Sequence, residues 1–182
     1  LETLPVFGKR LAEHETALKT RKSVPNPSRW WEAARPRADL AARTPRILSK
    51  MFGGPNMAAV DAKGEYLPLQ AYAWMPTELA LKVPKGSEEA ALWWYCRILN
   101  SRIFFMLRRD ISAAVTAGGQ LDVSQKHVND VPLPMPTLDD LVTLASAGQP
   151  DLTASRANDM IVAASYGTSL ESWPSYGSSY GA

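Results

Sequence analysis

The residues with the clearest chemical potential form a cluster of cations and tryptophans in the N-terminal third of this chain of 182 residues. The cluster comprises Arg29, Trp30, Trp31, Arg35, Arg37, Arg43, Arg46 and Lys50. Guanidinium groups bind phosphates and base edges, while flat aromatic rings pack against sugars or unstacked bases. The pattern favours a nucleic-acid surface. The alternative is that at least one of the tryptophans belongs to the core and that the arginines are merely solvated.

Charge is distributed unevenly along the chain. The net charge is +2, but residues 1–60 carry 11 Lys and Arg against 5 Asp and Glu, whereas residues 61–182 carry 9 against 13. A basic N-terminal third suits a polyanionic partner better than a neutral metabolite. A solvated helical face is the alternative explanation for the same residues.

Patterns typical of catalytic or metal sites are weak or absent. Cys96 and Arg102 have the spacing of a phosphatase loop, but the residues between them contain no glycine and continue an apolar pattern, so we expect Cys96 to be a buried small hydrophobe. No Gly-x-Ser-x-Gly elbow accompanies either histidine, His14 or His127. A single Cys and two His exclude a zinc site with four Cys and His ligands. We therefore predict no catalytic residue and no metal ligand in this chain.

Length and hydropathy predict a soluble domain. Chains of about 100–200 residues usually form one domain, and no run here approaches the roughly 20 apolar residues of a membrane span. With one Cys there is no internal disulfide, which favours a reducing, cytoplasmic setting. Because the chain opens on Leu1 without a signal sequence, we expect a piece of a longer polypeptide.

Hydrophobic periodicity predicts a helical N-terminus and a β-rich middle. An amphipathic pattern covers residues 6–22, and a short helical piece precedes Pro36. Strands are predicted at Arg46–Phe52 and Ala58–Asp61, with a hairpin turn at residues 61–64. The sheet would continue through residues 66–74, where prolines imply edge positions or a bend.

The second half of the chain is predicted to be mostly helical. Ser87 is a helix start, Asn100–Ser101 breaks the helix, and a second apolar helix runs to Ile111. The proline-rich segment 131–136 suits an extended edge or docking segment. Further helices follow a capping box at Thr137 and over residues 151–164. The fold class is therefore α+β, a small twisted, mostly antiparallel sheet flanked by helices, with one domain over residues 1–164 and a loosely ordered tail over 165–182, unless its aromatic side chains dock.

The order of these motifs resembles a known family. The succession is Leu11-x-x-His14-x-x-x-Leu18-x-x-Arg21, Trp30-Trp31, Arg35-x-Arg37, Pro45-Arg46-Ile47-Leu48, Asp61-x-x-Gly64, Leu99-Asn100-Ser101, Phe104-Phe105, Gly118-Gly119, Val131-Pro132-Leu133-Pro134, Asp159-Met160-Ile161-Val162 and Tyr166-Gly167. Over residues 6–167 it is similar to the TaqI-like C-terminal specificity domain. That domain is the target-recognition domain of bacterial N6-adenine DNA methyltransferases and of fused restriction-modification enzymes.

The resemblance implies a domain that reads duplex DNA opposite a separate catalytic domain and positions the adenine for flipping. S-adenosylmethionine would be the cofactor of that parent enzyme, bound in the same or a partner polypeptide. The family's Asn/Asp-Pro-Pro-aromatic motif and its glycine-containing cofactor loop are not found in this sequence; Asn26-Pro27-Ser28-Arg29 lacks the second proline and the aromatic residue. We therefore expect no cofactor in this chain and no methylation by it alone.

Two segments supply the candidate DNA-binding residues. The first provides Arg29, Trp31, Arg35, Arg37, Arg46 and Lys50, and the loop after Gly118-Gly119 provides Ser124, Gln125, Lys126 and His127. A rival interpretation is a protein-docking module of a restriction or phage-defence complex, with Trp93, Trp94 and the segment 132–136 as its adhesive surface. Salt dependence separates the two, because binding to phosphates weakens steeply with salt.

Overall fold

A computed structural model of the chain describes residues 5–20, 30, 43–68, 71–75, 82–111, 121–122, 128–147, 151–153 and 155–173. The chain divides into two compact units, Leu1–Ala41 and Ala42–Ala182. The fold is α+β, with helices and a small antiparallel sheet, as the sequence predicts.

The first unit begins with two short helices, α1 (Pro5–Ala12) and α2 (Glu15–Lys19). The prediction of one continuous helix over residues 6–22 is wrong, because a tight turn separates them. There the amide of His14 donates to the carbonyl of Leu11, only three residues back, at 2.9 Å. Such i to i+3 bonds close the last turn of many helices. Trp30 also belongs to this unit and is buried, with 7% of its surface exposed.

A three-stranded sheet forms the β part of the second unit. Strand β1 (Arg46–Lys50) lies between β3 (Ala58–Asp61) and β4 (Ala71–Trp74), and both neighbours run antiparallel to it. Strands β3 and β4 therefore run parallel to each other, which a tight hairpin cannot achieve. The turn predicted at residues 61–64 is present, but it opens a crossover to the far edge of the sheet instead of a hairpin.

The predicted first strand is shorter than expected because the chain bends at Met51. Residues Phe52–Gly53 form a separate strand, β2, which pairs antiparallel with β5 (Leu121–Asp122). The partners are Phe52 with Asp122 and Gly53 with Leu121. We call this pair the β2–β5 ribbon.

The helices of the second unit surround a long central helix. Helix α3 (Glu88–Asn100) is followed by α4 (Arg102–Ile111), α5 (Leu138–Ser146) and α6 (Arg156–Ser165), and Leu170–Ser172 adds one 3-10 turn. Helix α3 packs against α4, α5, α6 and strand β3, so most of its length is buried. The predicted capping box of α5 is confirmed, since the Thr137 side chain accepts from the Asp140 amide and Asp140 accepts from the Thr137 amide.

Helix α6 begins five residues later than predicted. The Asp151 carboxylate accepts hydrogen bonds from the Thr153 amide at 3.0 Å and from its hydroxyl at 2.7 Å, which holds a local turn instead of a helix. The Ser155 hydroxyl then caps the helix by accepting from the Asn158 amide. Beyond α6 the aromatic rings dock, because Leu170 is buried and Tyr166 meets Trp173 edge to face at 6.2 Å. Residues 174–182 of the predicted tail lie outside the described residues.

The proline-rich segment is extended and packs on the helices, as predicted. The carbonyl of Pro134 accepts from the Trp94 indole at 3.0 Å, and that of Pro132 accepts from the Tyr166 hydroxyl at 2.7 Å. The Tyr95 hydroxyl lies 3.2 Å from the Met135 sulfur. Trp94 is only 1% exposed. It therefore binds the segment inside the chain, so its predicted place on an adhesive surface is wrong.

The break between α3 and α4 ties these helices to the sheet. The Ser101 hydroxyl donates to the carbonyl of Ile98 and accepts from the amide of Phe104, so it ends one helix and begins the next. The Asn100 side chain accepts from the Ala58 amide at 2.8 Å and donates to the Ala58 carbonyl at 2.9 Å. These two bonds satisfy one residue on the outer edge of β3, where no further strand pairs within the described residues. The helix break predicted at Asn100–Ser101 is confirmed.

We predict that Asn100→Ala destabilises the protein by about 3 kcal/mol, because it leaves two backbone groups of Ala58 without their partner. Urea unfolding of the variant and of the wild type measures the difference. The matched control is Asn129→Ala at an exposed turn, which we expect to change the free energy of unfolding by less than about 0.5 kcal/mol. Equal effects of the two substitutions would contradict the role given to Asn100.

Candidate nucleic-acid interface

Two of the predicted DNA-binding residues, Arg46 and Lys50, fall within the described part of the chain. The remaining ones lie outside the described residues: Arg29, Trp31, Arg35, Arg37, Ser124, Gln125, Lys126 and His127. The structure therefore describes the strand before Ser124 and the turn after His127, and it does not describe the contacts of the candidates between them.

Arg46 is a structural cation, and its prediction as a DNA contact is wrong. Its side chain is 1% exposed, and its Nε donates to the Asp61 carboxylate at 3.4 Å. A terminal nitrogen also donates to the carbonyls of Gly64 at 3.1 Å and Tyr66 at 3.2 Å. The register of the sheet places Asp61 directly opposite Arg46. The guanidinium group is therefore occupied inside the protein and does not reach a phosphate.

The Asp61 carboxylate organises the turn that follows β3. Burial raises its pKa, but the amides of Glu65 at 2.9 Å and Tyr66 at 3.1 Å, together with Arg46, outweigh burial and hold the pKa below its usual value. Gly64 has a φ of 64°, and a Cβ there would lie 2.4 Å from the backbone nitrogen of Thr44. Only glycine fits at this contact.

Lys50 is exposed at the opposite end of β1, as a phosphate contact requires. Its backbone amide donates to the carbonyl of Met57 at 3.0 Å. That bond closes the base of the segment 51–56, which links β1 to β3 and contains β2. We call this segment the β1–β3 loop.

Two further hydrogen bonds hold the β1–β3 loop in place. The amide of Asn56 donates to the carbonyl of Asn100 at 3.2 Å, and the Arg108 guanidinium donates to the carbonyl of Gly53 at 2.9 Å. Arg108 is fully buried in α4, with its charge 5.9 Å from the ring centres of Phe104 and Phe105. Burial lowers the pKa of Arg108 to about 10, while the negative charge of Asp122 acts to raise it. The guanidinium group therefore stays charged at neutral pH.

The β2–β5 ribbon pairs the chain that follows Lys50 with the strand that precedes the second predicted binding segment. Strand β2 begins two residues after Lys50, and its partner strand β5 ends at Asp122, two residues before Ser124. The strand pairing therefore joins the exposed end of β1 to the start of the segment with the second group of candidates. Sequence reasoning placed both segments on one DNA surface but gave no register for them.

Sequence reasoning also missed two residues of this region. Phe52 on β2 is 43% exposed, and Arg108 is completely buried. A usable signal for the first was the sequence Gly-Gly-Pro-Asn, which directly follows Phe52 at the end of the first predicted strand and is typical of a protruding loop. The pairing of Arg108 with a backbone carbonyl has no local signal in the sequence.

Two open clefts lie beside Trp93, on the edge of β3. Their volumes are about 460 Å³ and about 270 Å³. The larger one is lined by the carboxylates Asp61, Glu65 and Glu89 and by one cation, Lys63. The indole of Trp93 donates to Glu89 at 3.3 Å. Because carboxylates dominate the larger cleft, it is a poor site for a phosphate.

The described residues also bear on the other classes considered. Cys96 is 1% exposed, and burial raises the pKa of its thiol to about 12, so it is the buried hydrophobe expected from the sequence. Within the described ranges, no cluster of three or more His, Cys, Asp or Glu is arranged to hold a metal ion. None of the helices in those ranges is long and apolar enough to cross a membrane.

Comparisons with known proteins assign no family to the chain. No protein-family model matches the sequence, and no curated protein is significantly similar to it. The likeness to TaqI-like specificity domains therefore rests on the motifs themselves.

We predict that Asp61→Asn destabilises the protein by about 3–5 kcal/mol at neutral pH, because the buried charge of Arg46 loses its partner. The pKa of Asp61 is depressed by folding, so its contribution to stability is present above the unfolded-state pKa of about 4 and is lost as the pH falls below it. Urea unfolding between pH 7 and pH 2 measures the difference in the free energy of unfolding between variant and wild type. This difference should be constant from pH 7 to about pH 4 and should become smaller below about pH 4. The exposed Asp130→Asn is the control. A difference that stays constant down to pH 2 would contradict the assignment.

Proposed function

We propose that this chain is a sequence-specific, duplex-DNA-recognition domain of a bacterial adenine-N6 DNA methyltransferase from a restriction-modification or phage-defence system. The observation that carries the proposal is the β2–β5 ribbon, which joins the segment ending in Lys50 to the strand that precedes Ser124. The methyltransferase domain, in the same or a partner polypeptide, would bind S-adenosylmethionine and perform the chemistry in the cytoplasm.

The positions of the family-like motifs support the proposal. Asn100–Ser101 joins α3, α4 and the edge of the sheet, and the segment from Val131 to Pro134 anchors on Trp94. Asp61 and Gly64 hold the turn after β3. These three motifs thus lie at joints of the fold, where a change of residue type would alter the architecture. This is what motifs shared by a common fold require.

The charge distribution along the sequence supports a polyanionic partner. Lys50 and Arg43 are exposed near the two ends of β1, and the arginines predicted to bind DNA belong to the same basic third of the sequence. Acidic side chains instead line the larger cleft beside Trp93. A DNA duplex would therefore be bound through basic side chains of this third of the sequence, while the carboxylates of the larger cleft disfavour its approach there.

Within the proposed enzyme, the work of this chain is binding and orientation. Lysine and arginine side chains fix the register on the phosphates, and polar side chains after β5 contact base edges. Holding both flanks of the target site positions one adenine for extrusion into the catalytic domain. No step of methyl transfer is assigned to residues of this chain.

A protein-docking module remains a second candidate because of one exposed apolar surface. Leu133 and Met135 of the proline-rich segment are 39% and 52% exposed, and Leu138 and Val142 of α5 are 62% and 56% exposed. These four residues follow one another along the chain, and the last two lie one helical turn apart. The surface differs from the one predicted from the sequence, since Trp94 is internal.

We predict that the chain binds a pool of random-sequence duplexes in fluorescence anisotropy, with an affinity that falls linearly with salt on logarithmic axes. The triple variant Arg29→Ala, Arg35→Ala, Arg37→Ala should weaken binding and reduce the slope by about 0.9 for each phosphate that the variant no longer neutralises. The control removes the same charge from the other part of the chain by replacing Lys82, Lys85 and Arg156 with Ala.

The control variant separates a specific surface from net charge. We expect it to keep most of the affinity of the wild type. Equal decreases in the two triple variants would indicate nonspecific attraction, and the absence of binding at low salt would refute the proposal for the isolated chain. Binding to a partner protein that is insensitive to salt and abolished in a Leu138→Ser, Val142→Ser variant would favour the docking module.

A further inference from the structure

Phe52 of the β2–β5 ribbon is 43% accessible although it lies on a paired strand. Side chains alternate along a strand, and the neighbouring Gly53 is buried, so Phe52 takes the outward side. The residue opposite it is the partly exposed Asp122, which leaves the ring accessible.

The ribbon presents this ring from a fixed position. Hydrogen bonds hold the β1–β3 loop at three points. The Lys50 amide donates to the Met57 carbonyl at its base, Arg108 donates to the loop at its middle, and the carbonyl of Asn100 accepts from the loop at its end. A Cβ on Gly53 would lie 3.2 Å from the Cβ of Met57, so β2 packs closely on the chain below it. An aromatic ring placed on such a rigid support loses little conformational freedom on binding.

Both charged neighbours of Phe52, the cation Lys50 and the carboxylate Asp122 opposite it, are compatible with duplex DNA, since carboxylates accept from the amino group of cytosine. Lys50 is exposed two residues away, and it belongs to the basic third of the sequence. A two-stranded antiparallel ribbon has the width that the major groove admits. The one apolar group that base edges present in this groove is the C5 methyl of thymine, which aromatic and aliphatic side chains contact.

We propose that the β2–β5 ribbon enters the major groove of the recognition site and that Phe52 packs on the methyl group of a thymine, while Lys50 contacts a flanking phosphate. This inference rests on the proposed function and names a specificity-determining residue of the same site. Phe52 would select a thymine at one position, and Lys50 would contribute affinity without selecting sequence.

The test combines Phe52→Ala with removal of the thymine methyl group. The preferred duplex is first selected from the random pool with the 182-residue chain, and each thymine in it is then replaced singly by deoxyuridine. One replacement should weaken wild-type binding about fourfold, the effect of one buried carbon group, and should leave Phe52→Ala unaffected. Phe52→Ala itself should bind the selected duplex about tenfold less tightly, with the salt slope of the wild type.

Further variants keep the result interpretable. Met160→Ala, which changes an apolar residue of α6 that is 52% exposed, should bind like the wild type, and Lys50→Ala should lower the salt slope by about 0.9. If the wild type binds DNA but no deoxyuridine replacement matters, or if such a decrease persists in Phe52→Ala, the inference is overturned while the proposed function stands. If the wild type binds no duplex at low salt, both fail. The deoxyuridine series needs no protein variant, so misfolding of Phe52→Ala would not hide the outcome.

Discussion

The arrangement of the second unit depends on one amide side chain, Asn100. Its side chain pairs with both backbone groups of Ala58, and its backbone carbonyl accepts a hydrogen bond from the amide of Asn56. One residue thus ends the central helix, pairs with the backbone groups of Ala58 on the outer edge of the sheet, and supports the β1–β3 loop. Since Ser101 then starts α4, the same break also sets the direction of the helix that carries Arg108 to Gly53. Contacts made by buried residues therefore fix the position of strand β2, which belongs to the proposed DNA surface.

Positive charge has two distinct uses in this chain. Arg46 and Arg108 are buried at 1% and 0% exposure and hold backbone carbonyls, so they contribute to the fold and not to the surface potential that meets a partner. Lys50 and Arg43 are exposed. Composition counts all four equally. Of the two buried arginines only Arg46 belongs to residues 1–60, so the described part of this third presents one positive charge fewer at the surface than composition suggests.

Local signals made much of the fold predictable. The Asn100–Ser101 break, the Thr137 capping box and the docked proline-rich segment follow from residue types at fixed spacing, and all are present. The split of the first helix and the late start of α6 follow from local hydrogen bonds, whereas the failures that bear on the site depend on contacts distant in sequence. The burial of Arg46 follows from its register against Asp61, and the crossing of the chain to β4 follows from the strand order, neither of which periodicity reveals. The pairing of β2 with β5 is equally nonlocal, so the sequence suggested both binding segments but not the ribbon that joins them.

The most direct test of the account is a hydrogen-exchange footprint of the chain with and without duplex DNA at low salt. The account predicts slower exchange, on adding DNA, in peptides that cover residues 50–56 and 121–127, with no change in helices α5 and α6. Unchanged exchange throughout, or protection confined to the apolar surface of Leu138 and Val142, would contradict it.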